Sequence, residues 1–243
     1  MTALSNRPET TTVLGFPIQI LDSYADWLGD RLTAGDSIHV VTLNAEMAIA
    51  AEQDPILADV IHKADLVIPD GAGVVLYLKL RGKRVERCPG IELSEEMLHR
   101  AGSQGWPVYF YGGKPGVAEA AAAAWRRRAP GIPFTGVSDG YIDAEGEAAL
   151  LAKLQAEQPQ LILVGLGVPR QEQWIQRHRQ VCPNAIWIGC GGSFDIWSGT
   201  KARAPKFFCD NNLEWVYRLY QEPWRWRRML ALPVFAWKAV IGR

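Results

Sequence analysis

Short apolar runs rich in β-branched and aromatic side chains recur at residues 37–43, 65–68, 108–111, 161–165 and 185–189, and each reaches Gly, Asp or Asn within two residues of its end. Between them lie Ala-, Leu- and charge-rich stretches at 45–53, 117–128, 145–157 and 170–179 with helix-forming composition. Several of these are introduced by Asp or Pro, residues that favour helix starts. Strands alternating with helices predict βαβ units, hence an α/β fold with a Rossmann-like, largely parallel sheet flanked by helices. Connections are short and no repeat or linker intervenes, so residues 1–200 read as one catalytic domain.

The pattern changes in the last stretch, residues 201–243, which reads as a helical appendage. From Asp210 two helices are expected, because Pro223 lacks an amide proton and breaks a continuous helix while suiting the first turn of the next. The final apolar run, 229–237, has nine residues and contains Pro233. A bilayer crossing needs ~20 apolar residues, so this run is expected to lie on a membrane and not to cross it.

Composition narrows the picture. An apolar fraction of 48% and a charged fraction of 21% exclude disordered and collagen-like classes. Cys88, Cys182, Cys190 and Cys209 form no C-x-x-C pair, and residues 1–12 are polar with no apolar signal region, which together point to a reducing cytosolic compartment. The net charge of zero conceals a division. From Lys201 onward nine basic residues face three acidic ones, so this stretch is +6 and the remainder −6. Such asymmetry suits a membrane surface, a nucleic acid or a phosphorylated substrate. Trp215, Tyr217, Trp224, Trp226, Phe235 and Trp237 interleave with the charges, as in a headgroup layer or a base-stacking surface. Six charges on anionic lipid, at about 1 kcal/mol each, would give at most about 6 kcal/mol, enough for reversible attachment.

In open parallel sheets ligands bind beyond the carboxyl ends of the strands, so the residues there are the first candidates. Asp70, between Pro69 and Gly71, is either a partly desolvated general base for a sugar hydroxyl or a helix N-cap. Thr42 and Asn44 have the chemistry to bond sugar hydroxyls, and Asn44 equally suits the cap of the helix from Ala45. Gly112 and Gly113 form one tight turn. Gly165-Leu166-Gly167 forms another, whose amides suit a diphosphate, with Gln171 in the first turn of the helix behind it. Gly191-Gly192-Ser193-Phe194-Asp195 suits a nucleotide, with Phe194 beside the base and Asp195 accepting from its imide, or is simply a Gly-rich turn. No Asp-x-Asp follows a strand and no His or Cys cluster has ligand spacing, so no tightly bound metal is expected. Arg218, Arg225 and Arg228 are then the candidates for holding the diphosphate, the latter two three residues apart on one predicted helix face.

Taken in order, Thr42-x-Asn44, Ala64-Asp65-x-x-x-Pro69-Asp70-Gly71-x-Gly73, Arg87-x-x-Gly90, Gly112-Gly113, Gly140-Tyr141, Gly165-x-Gly167-x-Pro169-x-Gln171-Glu172, Gly191-Gly192-x-Phe194-Asp195, Arg203-Ala204-Pro205, Glu214-Trp215-x-x-Arg218 and Glu222-Pro223-x-Arg225-x-x-Arg228 closely resemble the WecG/TagA/CpsF glycosyltransferases, glycosyltransferase family twenty-six. The resemblance implies an inverting enzyme that moves N-acetylmannosamine or a related hexose from a UDP-sugar to a polyprenyl-diphosphate-linked sugar in bacterial cell-surface polysaccharide synthesis. UDP-sugar is then a co-substrate and no cofactor is required. Asp70 matches the family's proposed base, with Thr42 and Asn44 beside it. Arg87, Tyr141, Gln171 and Asp195 match substrate-contact positions, and Arg218, Arg225 and Arg228 match arginines that close over the diphosphate. Glu92 stands where the family often has Asp. The resemblance further implies peripheral attachment to the inner face of the plasma membrane, no nucleic-acid partner, and a homo-oligomer whose loss exposes the membrane-facing surface. Truncating the chain just before Asp210, which removes the tail, is expected to abolish transfer and membrane association while leaving the body folded.

Two rival readings come from other classes. A nicotinamide-dependent oxidoreductase would use the Gly165–Gly167 turn, but Arg170 stands where the dinucleotide fingerprint needs its third glycine. A non-catalytic nucleic-acid-binding protein would use the basic, aromatic tail.

Overall fold

The computed structural model describes residues 8–211 and 213–241. Most of the polar start therefore lies outside the described residues. The chain opens with a hairpin, β1 (Glu9–Val13) and β2 (Phe16–Ile20), and continues through α1 (Tyr24–Thr33), β3 (Ile38–Leu43), α2 (Ala45–Gln53), α3 (Pro55–Lys63), β4 (Leu66–Pro69), α4 (Ala72–Leu80) and α5 (Gly90–Gln104). Then come β5 (Val108–Gly112), α6 (Val117–Arg128), β6 (Phe134–Ser138), α7 (Ala144–Glu157), β7 (Leu161–Gly165), α8 (Arg170–His178), β8 (Ile186–Gly189) and α9 (Ser193–Trp197). The tail holds α10 (Lys206–Asp210), α11 (Glu214–Gln221), a 3₁₀ turn (Pro223–Arg225), α12 (Trp226–Met229) and α13 (Ala231–Ile241).

Six strands form a parallel sheet in the order β4-β3-β8-β7-β5-β6. Every residue of β3, β4, β5, β7 and β8 is buried, which is why their sequences are mostly apolar and were legible as strands. The sixth, β6, pairs only with β5 and is half-exposed throughout, so its sequence, Phe-Thr-Gly-Val-Ser, carries little apolar signal. Helix starts follow local chemistry. Ser23, Asn44, Asp54 and Asp143 each cap a helix by accepting from an amide of its first turn.

One face of the sheet is covered by α1, α5, α6 and α9. The other carries α2, α3, α4, α7, α8 and α13. The helix leaving β5 thus lies on one face, and the helix leaving neighbouring β7 lies on the other. Where adjacent strands send their connections to opposite faces, a crevice opens at their carboxyl ends. A second divergence separates β3, followed by α2, from β8, followed by α9.

The tail differs from its expected form. Pro223 does interrupt it, but the segments are four short helices and not two. Its last helix also belongs to the body, because Phe235 and Ala239 are buried against α2 and α4, with Phe235 beside the Tyr77 ring. Removing the tail would uncover that apolar surface, so the body is not independent of it. No helix among the described residues is long and apolar enough to cross a membrane.

Candidate active site

Three elements meet at Asp70. Its own amide donates to Leu43 O (3.0 Å), fixing the end of β4 against the end of β3. Its Oδ1 accepts from the Gly90 amide at 2.8 Å, the first residue of α5. Asp70 is therefore not the cap of the helix that follows it; that position is Gly71, which has no side-chain cap. A methyl group on Gly90 would stand 2.7 Å from Thr42 Cγ2, so glycine is needed for α5 to begin this close to the strand. Thr42 is buried there, its hydroxyl 3.4 Å from Gly189 O. Asn44 accepts from Met47 N at 2.9 Å, so its carbonyl is engaged as the cap of α2 and only its amide nitrogen is left for a ligand.

Burial pushes the Asp70 carboxyl up above the usual carboxylate range. The Gly90 amide and the Arg218 and Arg87 guanidiniums pull the other way, and Glu214 adds to the upward push. The result is a carboxylate more basic than usual, which suits a proton acceptor.

The tail brings charge to this point. Glu214 of α11 pairs with Arg87, both largely buried. Burial alone would raise the Glu214 carboxyl, but Arg87 and Arg218 outweigh it and hold it below its ordinary value. Further along, Asp195 is bridged by Lys201 (2.8 Å) to Glu222 (3.0 Å), and Glu222 also pairs with Arg225 (2.9 Å). These cations likewise hold Glu222 below its ordinary value against burial. Arg228 turns elsewhere, to Glu46 on α2 at 3.2 Å. Arg225 and Arg228 therefore do not share one helix face. Arg225 closes the 3₁₀ turn, and Arg228 lies in α12.

The glycine turns occupy the neighbouring crevice. Gly112 adopts φ +134°, and a methyl group there would stand 2.5 Å from Gly165 O, so the end of β5 approaches the end of β7 this closely only because residue 112 lacks a side chain. The Gly113 amide donates to Gly165 O. Gln171 is buried, and its Oε1 accepts from both Gly167 N and Gly191 N at 3.1 Å. Its side chain clamps the two turns together, and these amides point into the protein and not toward a diphosphate. Gly192 leads into α9. Phe194 lies 1% exposed in the core, stacked on Phe110 at 4.8 Å, so it does not stand beside a nucleobase as expected. Its ring fills the space that a side chain on Gly165 would need. Tyr141 is 69% exposed, and its neighbour Ile142 lines a cavity of about 280 Å³ with Tyr111, Leu166, Arg170 and Trp174.

The structure thus gathers Asp70, Thr42, Arg87 and Arg218 at one point and Asp195 and Arg225 through Lys201 and Glu222 at another. The roles of Lys201, Glu214 and Glu222 were not assigned from sequence. The available signal was that Glu214 and Glu222 are two of only three acids in an otherwise basic stretch. Among the described residues no three His, Cys, Asp or Glu side chains converge as metal ligands.

Residues 11–243 match the glycosyl transferase WecG/TagA/CpsF family. An N-acetylglucosaminyldiphosphoundecaprenol N-acetyl-beta-D-mannosaminyltransferase from Bacillus spizizenii is 41% identical over 197 residues, 81% of this chain and 76% of the relative. The protein of that name from Bacillus subtilis is 38% identical over 234 residues, 94% of this chain and 90% of the relative.

Proposed function

Because the chain belongs to the glycosyl transferase WecG/TagA/CpsF family, we propose that it transfers N-acetylmannosamine or a related hexose from a UDP-sugar to a polyprenyl-diphosphate-linked sugar, with inversion, during synthesis of a bacterial surface polysaccharide. The names of the two relatives support the donor sugar and the lipid-diphosphate acceptor. The family match leaves the nicotinamide-dependent reading without footing.

The observation that carries the reading is Asp70 at the end of β4, held on the Gly90 amide at 2.8 Å with its pKa raised by burial and within electrostatic reach of Arg218 and Arg87. In a single displacement, Asp70 accepts the proton of the acceptor hydroxyl as that oxygen bonds to the anomeric carbon. The bond from that carbon to the β-phosphate oxygen breaks, and UDP leaves with both electrons. Arg87, Arg218 and Arg225 meet its growing negative charge, each charge-assisted contact contributing about 1.5–3 kcal/mol. In this reading Thr42 and the Asn44 amide nitrogen hold sugar hydroxyls, and Tyr141 and Asp195 contact the nucleotide.

Peripheral attachment to the cytoplasmic membrane surface fits the exposed Trp215, Trp224, Trp226 and Trp237 interleaved with basic side chains. Phe235 and Tyr217 are not part of that exposed set. A second copy of the chain would cover the same aromatic face off the membrane.

The test is turnover of UDP-N-acetylmannosamine with a short-prenyl-diphosphate N-acetylglucosamine, reading the anomeric configuration of the product. A β-linked disaccharide from an α-linked donor is expected. Retention of configuration, or no transfer from any UDP-hexose, would overturn the reading.

A further inference from the structure

Six polar residues are buried among the described residues, and three of them, His39, Gln171 and Glu172, form one continuous chain. His39 Nε2 lies 2.9 Å from Glu172 Oε2, Glu172 Oε1 accepts from Gln171 Nε2 at 2.9 Å, and Gln171 Oε1 accepts from the Gly167 and Gly191 amides. The chain starts near the amino end of β3, at its second residue, passes the end of β8 and finishes on both glycine turns. It needs Gly189, since a methyl group there would stand 2.3 Å from Glu172 Oε1 and 2.5 Å from Gln171 Nε2. We propose that His39 and Glu172, neither of which reaches the surface, are positioning residues that set the two turns bordering the nucleotide side of the donor site; this rests on the UDP-sugar reading above.

The argument is one of hydrogen-bond polarity. A carboxylate offers acceptors on both oxygens, so Gln171 must turn its amide nitrogen toward Glu172 and its oxygen toward the two glycine amides. Only in that orientation can one side chain hold both turns. His39 meets the second carboxylate oxygen as a donor from Nε2, a tautomer assigned from this bonding. Its Nδ1 has no partner among the described residues, which suits a lone pair far better than a buried N–H. Glu172→Gln keeps the shape but adds an N–H that must face either the Gln171 nitrogen or His39. Facing His39, it forces the proton onto the unpartnered Nδ1; facing Gln171, it reverses the clamp. The first leaves a buried N–H unsatisfied and so works against the chain that orients Gln171, the second releases the turns outright, and small misplacements of a binding group cost on the order of ten- to hundred-fold.

The experiment compares wild type with Glu172→Gln, His39→Leu and His39→Gln, whose amide nitrogen reaches about where the imidazole Nε2 stands. UDP dissociation constants come from calorimetry, donor KM and kcat from transfer assays, and exchange of the amides at 165–168 and 189–193 from mass spectrometry, with melting curves as a check on folding. Glu172→Gln and His39→Leu are expected to raise the UDP dissociation constant and donor KM about ten-fold, with kcat and acceptor KM changed far less and faster exchange at both turns. His39→Gln is expected to stay near wild type. Folded Glu172→Gln with wild-type UDP affinity and exchange overturns the proposal, as does His39→Gln being as impaired as His39→Leu. If wild type itself binds no UDP, the donor reading has failed, and the exchange data alone then decide whether this chain sets the turns.

Discussion

The sheet and the tail are held together by different forces. Five of the six strands of the parallel sheet are buried at every position. In the tail, α11, the 3₁₀ turn and α12 contain no buried residue. That stretch is fastened by ion pairs, Glu214 to Arg87, Glu222 to Lys201 and Arg228 to Glu46, and only α13 beyond it is anchored by buried apolar groups. Apolar burial is cooperative and insensitive to small ligands, whereas partly exposed ion pairs contribute roughly 0–1 kcal/mol each and can exchange one anion for another. The candidate base therefore sits on the rigid side and the candidate phosphate-binding arginines on the loosely held side, between two fixed points. In the proposed reaction a diphosphate would replace Glu214 and Glu222 on these cations without disturbing the sheet.

The largest effects should come from the rigid side. Asp70→Asn is expected to lower turnover by about 10²- to 10⁴-fold with donor KM nearly unchanged. Because the folded-state pKa of Asp70 is raised, the protonated form is favoured by folding. Stability is lost as the pH rises from the ordinary value of 3.8 toward the raised one, so the asparagine variant should melt no lower than wild type at neutral pH. In wild type, activity should fall as pH drops through the raised pKa. A lower melting temperature with unchanged turnover would make Asp70 a structural residue.

Next in size is the anchor. Phe235→Ala removes a buried ring from the cluster under α13 and should cost about 3–5 kcal/mol, read as a lower melting midpoint. If stability is unchanged, the tail is not fixed at its far end and the contrast drawn above fails. Arg218→Gln should act in the opposite way. Its melting curve should match wild type, while kcat/KM for the donor falls about ten- to hundred-fold, the equivalent of one charge-assisted contact.

The smallest effect separates the two regions by pH. Glu214 and Glu222 have folded pKa values below the ordinary 4.5. Their contribution is present above that value and is lost as pH falls through the folded values. Amides in 206–211 and 213–229 should lose protection as the pH is taken from 7 to well below 4.5, through the folded values, while those of β3, β7 and β8 remain protected. Equal loss in both would show a single cooperative unit.

Five strands, the flanking helices at 45–53, 117–128, 145–157 and 170–179 and the break at Pro223 were readable from sequence, because apolar run length, helix composition and the missing proline amide act over a few residues. The edge strand 134–138 was not, since it is half-exposed along its whole length and needs no apolar run, unlike β4, which is buried at the opposite edge. The site residues followed the same division. Residue type and position beyond a strand marked Asp70, Thr42, Asn44 and the glycine turns. Their chemistry depended on partners far along the chain: Asp70 on Gly90, Gln171 on Gly191, Phe194 on Phe110, Glu214 on Arg87.

The sequence by itself determined the alternation of strand and helix, the rim of strand ends that carries the candidate site residues and the basic character of the tail. Each of these is a property of local composition and period. The tertiary structure alone decided that Asp70 faces the start of α5 with a raised pKa, that Phe194 turns into the core, and that the tail arginines are divided between Asp70, Glu222 and Glu46. Burial and charge pairing are set by groups brought together across the fold, and no window along the chain contains them.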